Sequence, residues 1–223
     1  MESIVLVGGG KGGVGKSTVT LGVLDCLRAS GRRIIAIETD DSNPDVYKTT
    51  KQDSEILSAV CNLDDESGYA RLEDIIKGKD GTVVIDSAAR ATESLARNYA
   101  LLQAIAEGTQ RRLITLWVLN RQRDSLELLR DYLERARPKE PVYGVLNTFY
   151  GSREKFGLYD SSQTKGKLSG TILYPKLSDP IADKLMVSRI PLWAADKVLR
   201  IIECSLLFRY RKAIEKAFLG VLS

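Results

Sequence analysis

One stretch, Gly10-Lys11-Gly12-Gly13-Val14-Gly15-Lys16-Ser17-Thr18, constrains the fold of this chain more than any other. From Gly10 it fits the spacing G-x-x-x-x-G-K-[ST]. In that pattern glycines let backbone N–H groups curl around a polyphosphate, the lysine reaches the β/γ-phosphates and the hydroxyl binds Mg²⁺. The apolar run Ile4-Val5-Leu6-Val7 leads in, and Ser17 to Ala29 leads out with apolar positions at Val19, Leu21, Val23, Leu24 and Leu27 before Gly31. That order predicts a buried strand, a glycine loop and a helix. The loop then rests on a helix N-terminus, where the dipole also favours phosphate.

Further along, Ile34-Ile35-Ala36-Ile37 is a continuous apolar run of the kind found in strands covered on both faces. Strand, helix, strand makes a parallel unit with a right-handed crossover. Glu38, Asp40, Asp41 and Asp45 follow within one short segment. In open α/β sheets ligands bind beyond the carboxyl ends of the strands, so these acids face the phosphate loop. Residues 46–80 are the least legible part. Ile56, Ala59, Val60 and Leu63 suit one short helix, and Leu72, Ile75 and Ile76 another. Thr82-Val83-Val84-Ile85-Asp86 is a buried strand ending in a carboxylate.

A helix is predicted from Thr92 to Glu107 and a strand from Leu113 to Leu119, closed by Asn120. Asp124-Ser125-Leu126-Glu127 reads as a capping box opening the next helix. Pro141 to Leu146 is a further strand ending in Asn147. Gly151 to Gly170 is polar, a mobile loop or a contact surface, and Thr171 to Tyr174 is a last strand followed by Pro175. Asp179-Pro180 opens a helix. From Leu206 to Leu222 apolar residues recur three or four apart, with Arg209, Arg211, Lys212 and Lys216 on the other side. This is an amphipathic helix, about 197–220, with three readings: docked on the sheet, a membrane-targeting tail or a basic DNA-binding face.

With 223 residues the chain fits one α/β domain, 1–223, a doubly wound and mainly parallel sheet of about six to eight strands flanked by helices. It has no histidine, which excludes imidazole acid/base chemistry and most zinc sites. Its three cysteines lack a C-x-x-C pair and read as reduced thiols. Met1-Glu2-Ser3 enters a strand without a signal-peptide pattern, which points to a cytoplasmic location. Charge is uneven: residues 1–110 carry 12 Lys/Arg and 17 Asp/Glu, residues 111–223 carry 21 and 12. The basic second half favours a polyanion, DNA or an acidic membrane surface, unless these charges are simply solvated faces.

The second lysine of the loop, Lys11, together with Gly12 to Ser17, resembles the signature K-G-G-x-G-K-[ST] of the deviant Walker A ATPases of the ParA/MinD group. That resemblance implies a P-loop ATPase that hydrolyses ATP to ADP and phosphate. ATP·Mg²⁺ would be held by Gly12, Gly13, Val14, Gly15, Lys16, Ser17 and Thr18, and Lys11 would reach the partner subunit's phosphates in an ATP-dependent homodimer. Asp40 matches the aspartate that sets the attacking water. Asp86 matches the one that holds Mg²⁺ through water, opposite Ser17. Glu38 stands where the family more often has Asp, and Ser87-Ala88-Ala89 replaces the usual D-x-P continuation.

Asn147 and Pro175 match the adenine contacts, with Asn120 competing for the first. The small ParA-type proteins, including StbB/MobD/TraL-like relatives of plasmid partition and mobilisation systems, are the nearest in outline. They imply non-specific DNA and a ParB-like or other activating protein as partners. A MinD-like membrane-associated positioning ATPase is the alternative. A metabolic P-loop enzyme of the dethiobiotin synthetase type, which would not need Lys11, stands behind it.

Overall fold

The computed structural model describes residues 2–222; Met1 of the opening segment and Ser223 lie outside the described residues. Seven strands form one sheet: β1 (Ser3–Gly8), β2 (Ile34–Glu38), β3 (Ile56–Val60), β4 (Thr82–Asp86), β5 (Arg112–Leu119), β6 (Val142–Asn147) and β7 (Gly170–Tyr174). Their order is β3-β2-β4-β1-β5-β6-β7 and every neighbouring pair is parallel. The chain leaves β1 toward β2 on one side and later crosses to β5 on the other. The crevice at that reversal lies beyond the ends of β1 and β4.

Alternation along β1 explains the two cores. Ile4 and Leu6 face one side, with Ile35, Ile37, Val83 and Ile85. On that side pack α3 (Glu66–Ile76), α4 (Thr92–Arg97), α5 (Tyr99–Gly108) and α6 (Arg123–Ala136). Val5 and Val7 face the other, with Ala36, Val84 and Ile114. There lie α1 (Lys16–Ala29), α2 (Asp45–Thr50), α8 (Asp179–Ser188) and α9 (Ile201–Ala217). Period-two side chains on a sheet covered on both faces leave no polar position from Ile4 to Val7, hence that unbroken apolar run.

The structure departs from the sequence reading at four places. Ile56 to Val60 is the edge strand β3, not a helix, because β2 supplies its backbone partners from Ile34↔Ile56 to Glu38↔Val60. The helix expected over 92–107 is broken at Asn98, which ends α4 by donating its N–H to Ser94 and then precedes α5. Helix α6 begins at Arg123 behind Gln122 with no side-chain cap, so the predicted capping box is absent. The polar stretch 151–170 is folded into short helical turns, including α7 (Gly157–Asp160), with Phe156 and Tyr159 buried in the core.

Helix α9 docks. Leu207, Tyr210 and Ile214, then Phe218 and Val221, are buried against the core shared with α1. The Arg211 Nε donates to Asp25 Oδ2 at 2.8 Å, and the Tyr210 hydroxyl donates to Tyr174, whose own hydroxyl donates to the Thr18 carbonyl. Leu206 and Ala213, which the periodicity placed on the same stripe, are exposed. No helix among the described residues is long and apolar enough to cross a membrane. Cys26, Cys61 and Cys204 are free thiols.

Candidate phosphate-binding site

The loop between β1 and α1 needs its glycines for two different reasons. Gly13 and Gly15 have φ of 76° and 94°, in the left-handed region that side chains disfavour. A Cβ at Gly15 would also run into the Asn147 amide, whereas one at Gly13 would meet nothing within 4 Å. Gly15 is packed against the end of β6 and Gly13 opens onto free space, as a cradle for a ligand requires.

Lys16 starts α1 and is buried, its Nζ donating to the Lys11 carbonyl at 3.1 Å. Burial lowers its pKa, and the charges of Asp86, Asp40 and Glu38 oppose that fall. Beside it, the Ser17 hydroxyl donates to Asp86 Oδ2 at 2.8 Å and the Thr20 hydroxyl to Asp86 Oδ1 at 2.6 Å. Asp86 is 2% exposed, and burial raises its carboxyl above the usual range despite those two hydrogen bonds. Thr20 follows Ser17 by three positions, one turn further along the same helix face. Sequence reasoning passed over it, although this spacing was its signal.

Glu38 is paired in register with Asp86 and is equally buried. Its carboxylate accepts the N–H groups of Asp40 at 3.0 Å and Val46 at 3.2 Å. Burial and the charge of Asp86 raise its pKa. Glu38 therefore shapes the following loop, holding the start of α2 to the end of β2. Asp40 accepts from Ser42 N, Ser42 Oγ and Asn43 N through one oxygen, Oδ1, and these bonds lower its pKa. The backbones are laced as well: Ala88 N–H donates to Thr39 Oγ1 at 2.8 Å and Thr39 N–H to the Asp86 carbonyl at 3.0 Å.

Lys11 lies on the rim. Its ammonium donates to Asp124 Oδ2 and, at 3.3 Å, to Gln122 Oε1. Asp124, read from the sequence as a helix cap, is the ion-pair partner of Lys11 instead, and this pairing holds its carboxyl below the usual range. A cavity of about 420 Å³ adjoins this rim, lined by Lys11, Gly12, Arg121, Phe149 and Tyr150 among others.

Asn147 closes β6 with 3% exposure. Its Nδ2 donates to the Val14 carbonyl at 2.9 Å and its Oδ1 accepts from Phe149 N–H at 3.1 Å, so the amide braces the phosphate loop. Asn120 hydrogen-bonds Gln122 at the mouth of the cavity. Pro175 follows Tyr174 at the end of β7, and the Tyr174 hydroxyl donates to the Thr18 carbonyl.

Residues 5–152 match the family described as CobQ/CobB/MinD/ParA nucleotide binding domain. The chain belongs to this family. Protein MobD of Acidithiobacillus ferrooxidans is 37% identical to this CobQ/CobB/MinD/ParA member over 99% of the chain and 98% of its own length. In structure, the septum site-determining protein MinD of Pyrococcus horikoshii, complexed with Mg-ADP, superposes with a TM-score of 0.56 at 18% identity, covering 100% of this chain and 99% of that one. A plasmid partition protein from Borrelia burgdorferi gives 0.55 at 16%, covering 99% of each. The fold of this CobQ/CobB/MinD/ParA protein is thus the seven-stranded parallel form of the MinD and partition proteins.

Proposed function

We propose that residues 1–223 act as one P-loop unit, an ATP-dependent dimerising switch of ParA type that serves plasmid or DNA partition or mobilisation. The observation that carries this reading is the division of labour between the two lysines. Lys16 is buried beside Ser17 and Asp86, as a phosphate ligand within its own protomer would be. Lys11 stands 43% exposed on the rim, held only by surface partners, from which it can reach a second copy.

The residues present fit ATP and Mg²⁺. Gly12, Gly13, Val14 and Gly15 offer backbone N–H groups, Lys16 the charge for the β/γ-phosphates, and Ser17 and Thr18 the hydroxyls at the helix start. Ser17 and Asp86 would hold the metal, and the cation would neutralise charge on the phosphates. Asp40 uses one carboxylate oxygen to fix its loop and leaves the other for the attacking water. Lys11 exchanges Asp124 for the partner's phosphates. Loss of the γ-phosphate removes that attraction and the dimer opens. Adenine falls to the strand ends at Asn147 and Pro175, and the Asn147 amide keeps a second N–H and a second lone pair beyond its bonds to Val14 and Phe149.

The outer side of α9, with exposed Arg209, Lys212 and Lys216, provides a surface for the DNA backbone. Docking of Leu207, Tyr210 and Ile214 on the core takes that part of the apolar stripe away from a membrane, and Lys11 argues against a metabolic enzyme. A ParB-like or other activating protein completes the cycle.

Gel filtration without nucleotide, with ADP and with ATP tests the switch, alongside DNA retention across a salt series and liposome co-sedimentation. ATP-dependent dimers and salt-sensitive DNA retention are expected. Lipid binding that is lost when residues 206–223 are removed would favour the MinD-like role. A chain that stays monomeric with ATP would end the proposal.

A further inference from the structure

Arg90 lies between Asp86 and α4, in the segment that follows β4, and the sequence reading gave it no role. Its guanidinium engages three carboxylates at once. Nε is 3.3 Å from Asp64 Oδ2, Nη2 is 3.0 Å from Asp41 Oδ1, and Nη1 is 3.5 Å from Asp40 Oδ1. Asp40 and Asp41 follow β2, Asp64 follows β3, and β3, β2 and β4 are adjacent in the sheet. One side chain therefore joins the exit loops of three neighbouring strands at the rim that carries Asp86.

We propose that Arg90 is a positioning residue for hydrolysis, a clamp that fixes the Asp40 carboxylate and offsets the acidic charge around it. This inference rests on the hydrolytic reading of Asp40 above. Two physical arguments carry it.

The first is geometric. Every described bond to the Asp40 carboxylate falls on Oδ1, and Arg90 is the only one of these donors from outside the Asp40–Asn43 loop. The local bonds shape the turn, and the guanidinium ties that turn to the segment after Asp86. An arginine fork can grip several oxygens in fixed directions, which a lysine ammonium, a compact point charge, cannot do.

The second argument is electrostatic. Glu38, Asp40, Asp41, Asp64 and Asp86 lie at or just beyond the ends of three adjacent strands, where a polyphosphate also has to enter. Arg90 is the cation that pairs with three of them. Without it, Asp40, Asp41 and Asp64 repel one another and the incoming ligand. Arg90 is 46% exposed, so its replacement leaves no hole in the core.

The test is steady-state ATP hydrolysis by the full chain, with kcat and KM separated, for Arg90→Lys, Arg90→Ala and Asp64→Asn. Arg90→Lys keeps the charge and loses the fork: KM should stay near the wild-type value while kcat falls about tenfold or more, as expected when a reacting group is misplaced. Arg90→Ala should raise KM as well. Asp64→Asn, which loosens Arg90 from a position beyond the Asp40–Asn43 loop and removes one acidic charge, should lower kcat without raising KM. A lysine variant with wild-type kcat, or an alanine variant altered only in thermal stability, overturns the clamp while leaving the switch intact. A wild-type chain that binds ATP without hydrolysing it overturns the hydrolytic reading and the clamp together.

Discussion

Lys11 and Asp124, 113 positions apart in the chain, form an ion pair at the rim of the phosphate loop. The pair parks the ammonium on the protomer's own α6, so a Lys11 that reaches a neighbour must first let go of Asp124. Both side chains are nearly half exposed and solvent screens their attraction. Asp124→Asn is therefore expected to strengthen ATP-dependent dimerisation modestly, by no more than about fivefold. Lys11→Ala should abolish it. Sedimentation equilibrium with a slowly hydrolysed ATP analogue measures both, and a Lys11→Ala chain that dimerises normally refutes the arrangement.

Asp86 is the point on which Ser17 and Thr20 converge. Asp86→Asn removes the charge that supports a cation beside Ser17, and the loss of Mg²⁺-dependent nucleotide affinity should be about tenfold to a hundredfold. Titration of a fluorescent ADP with and without Mg²⁺ reads this directly. The variant should bind equally well in both conditions, and retained Mg²⁺ dependence would remove Asp86 from the metal site.

The facing pair Glu38 and Asp86 makes stability depend on pH. Burial raises both carboxyls, so the folded chain keeps protons that the unfolded chain has released. The resulting stabilisation is full below the ordinary carboxylate value, 4.5 for Glu38, and declines as pH rises through the raised values. The nucleotide-free protein should lose Tm from mildly acidic to mildly alkaline buffer, and Glu38→Gln should flatten that slope. An unchanged slope in the variant would dissociate the effect from this pair.

Ile214, with no exposed surface, is the centre of the α9 contact. Ile214→Ala should cost about 3 kcal/mol of unfolding free energy, within the usual range for emptying a packed site. Urea denaturation measures it. A cost under about 0.5 kcal/mol, typical of surface substitutions, would show that α9 is a detachable tail.

What was legible in the sequence follows from where the information resides. Ile4 to Val7, Ile34 to Ile37 and Val83 to Ile85 are buried on both faces, so burial alone writes them as apolar runs. The glycine loop is legible because its spacing is the one that phosphate chemistry imposes on loops of this kind. Ile56 to Val60 misled because an edge strand is only partly buried: Leu57 points outward, 43% exposed, and the remaining apolar spacing also fits a helical face. Its identity comes from β2, which no local window contains. The ion pairs of Lys11 and Arg90 join residues up to 113 and 50 positions away, and no local pattern announces them. Asn147 was found as a strand-end residue, yet its tie to Val14 depends on β6 and the phosphate loop being neighbours in space.

Because all seven strands run the same way, β1, β2, β4 and β6 deliver their last residues, Gly8, Glu38, Asp86 and Asn147, to one edge of the sheet. Those positions span well over half of the polypeptide, and no short fragment of it carries the whole set. Ligand occupancy is consequently wired to the completed sheet and not to any local motif. A bound nucleotide should raise the melting of the entire molecule as a single transition, by an increment that grows with the logarithm of its concentration.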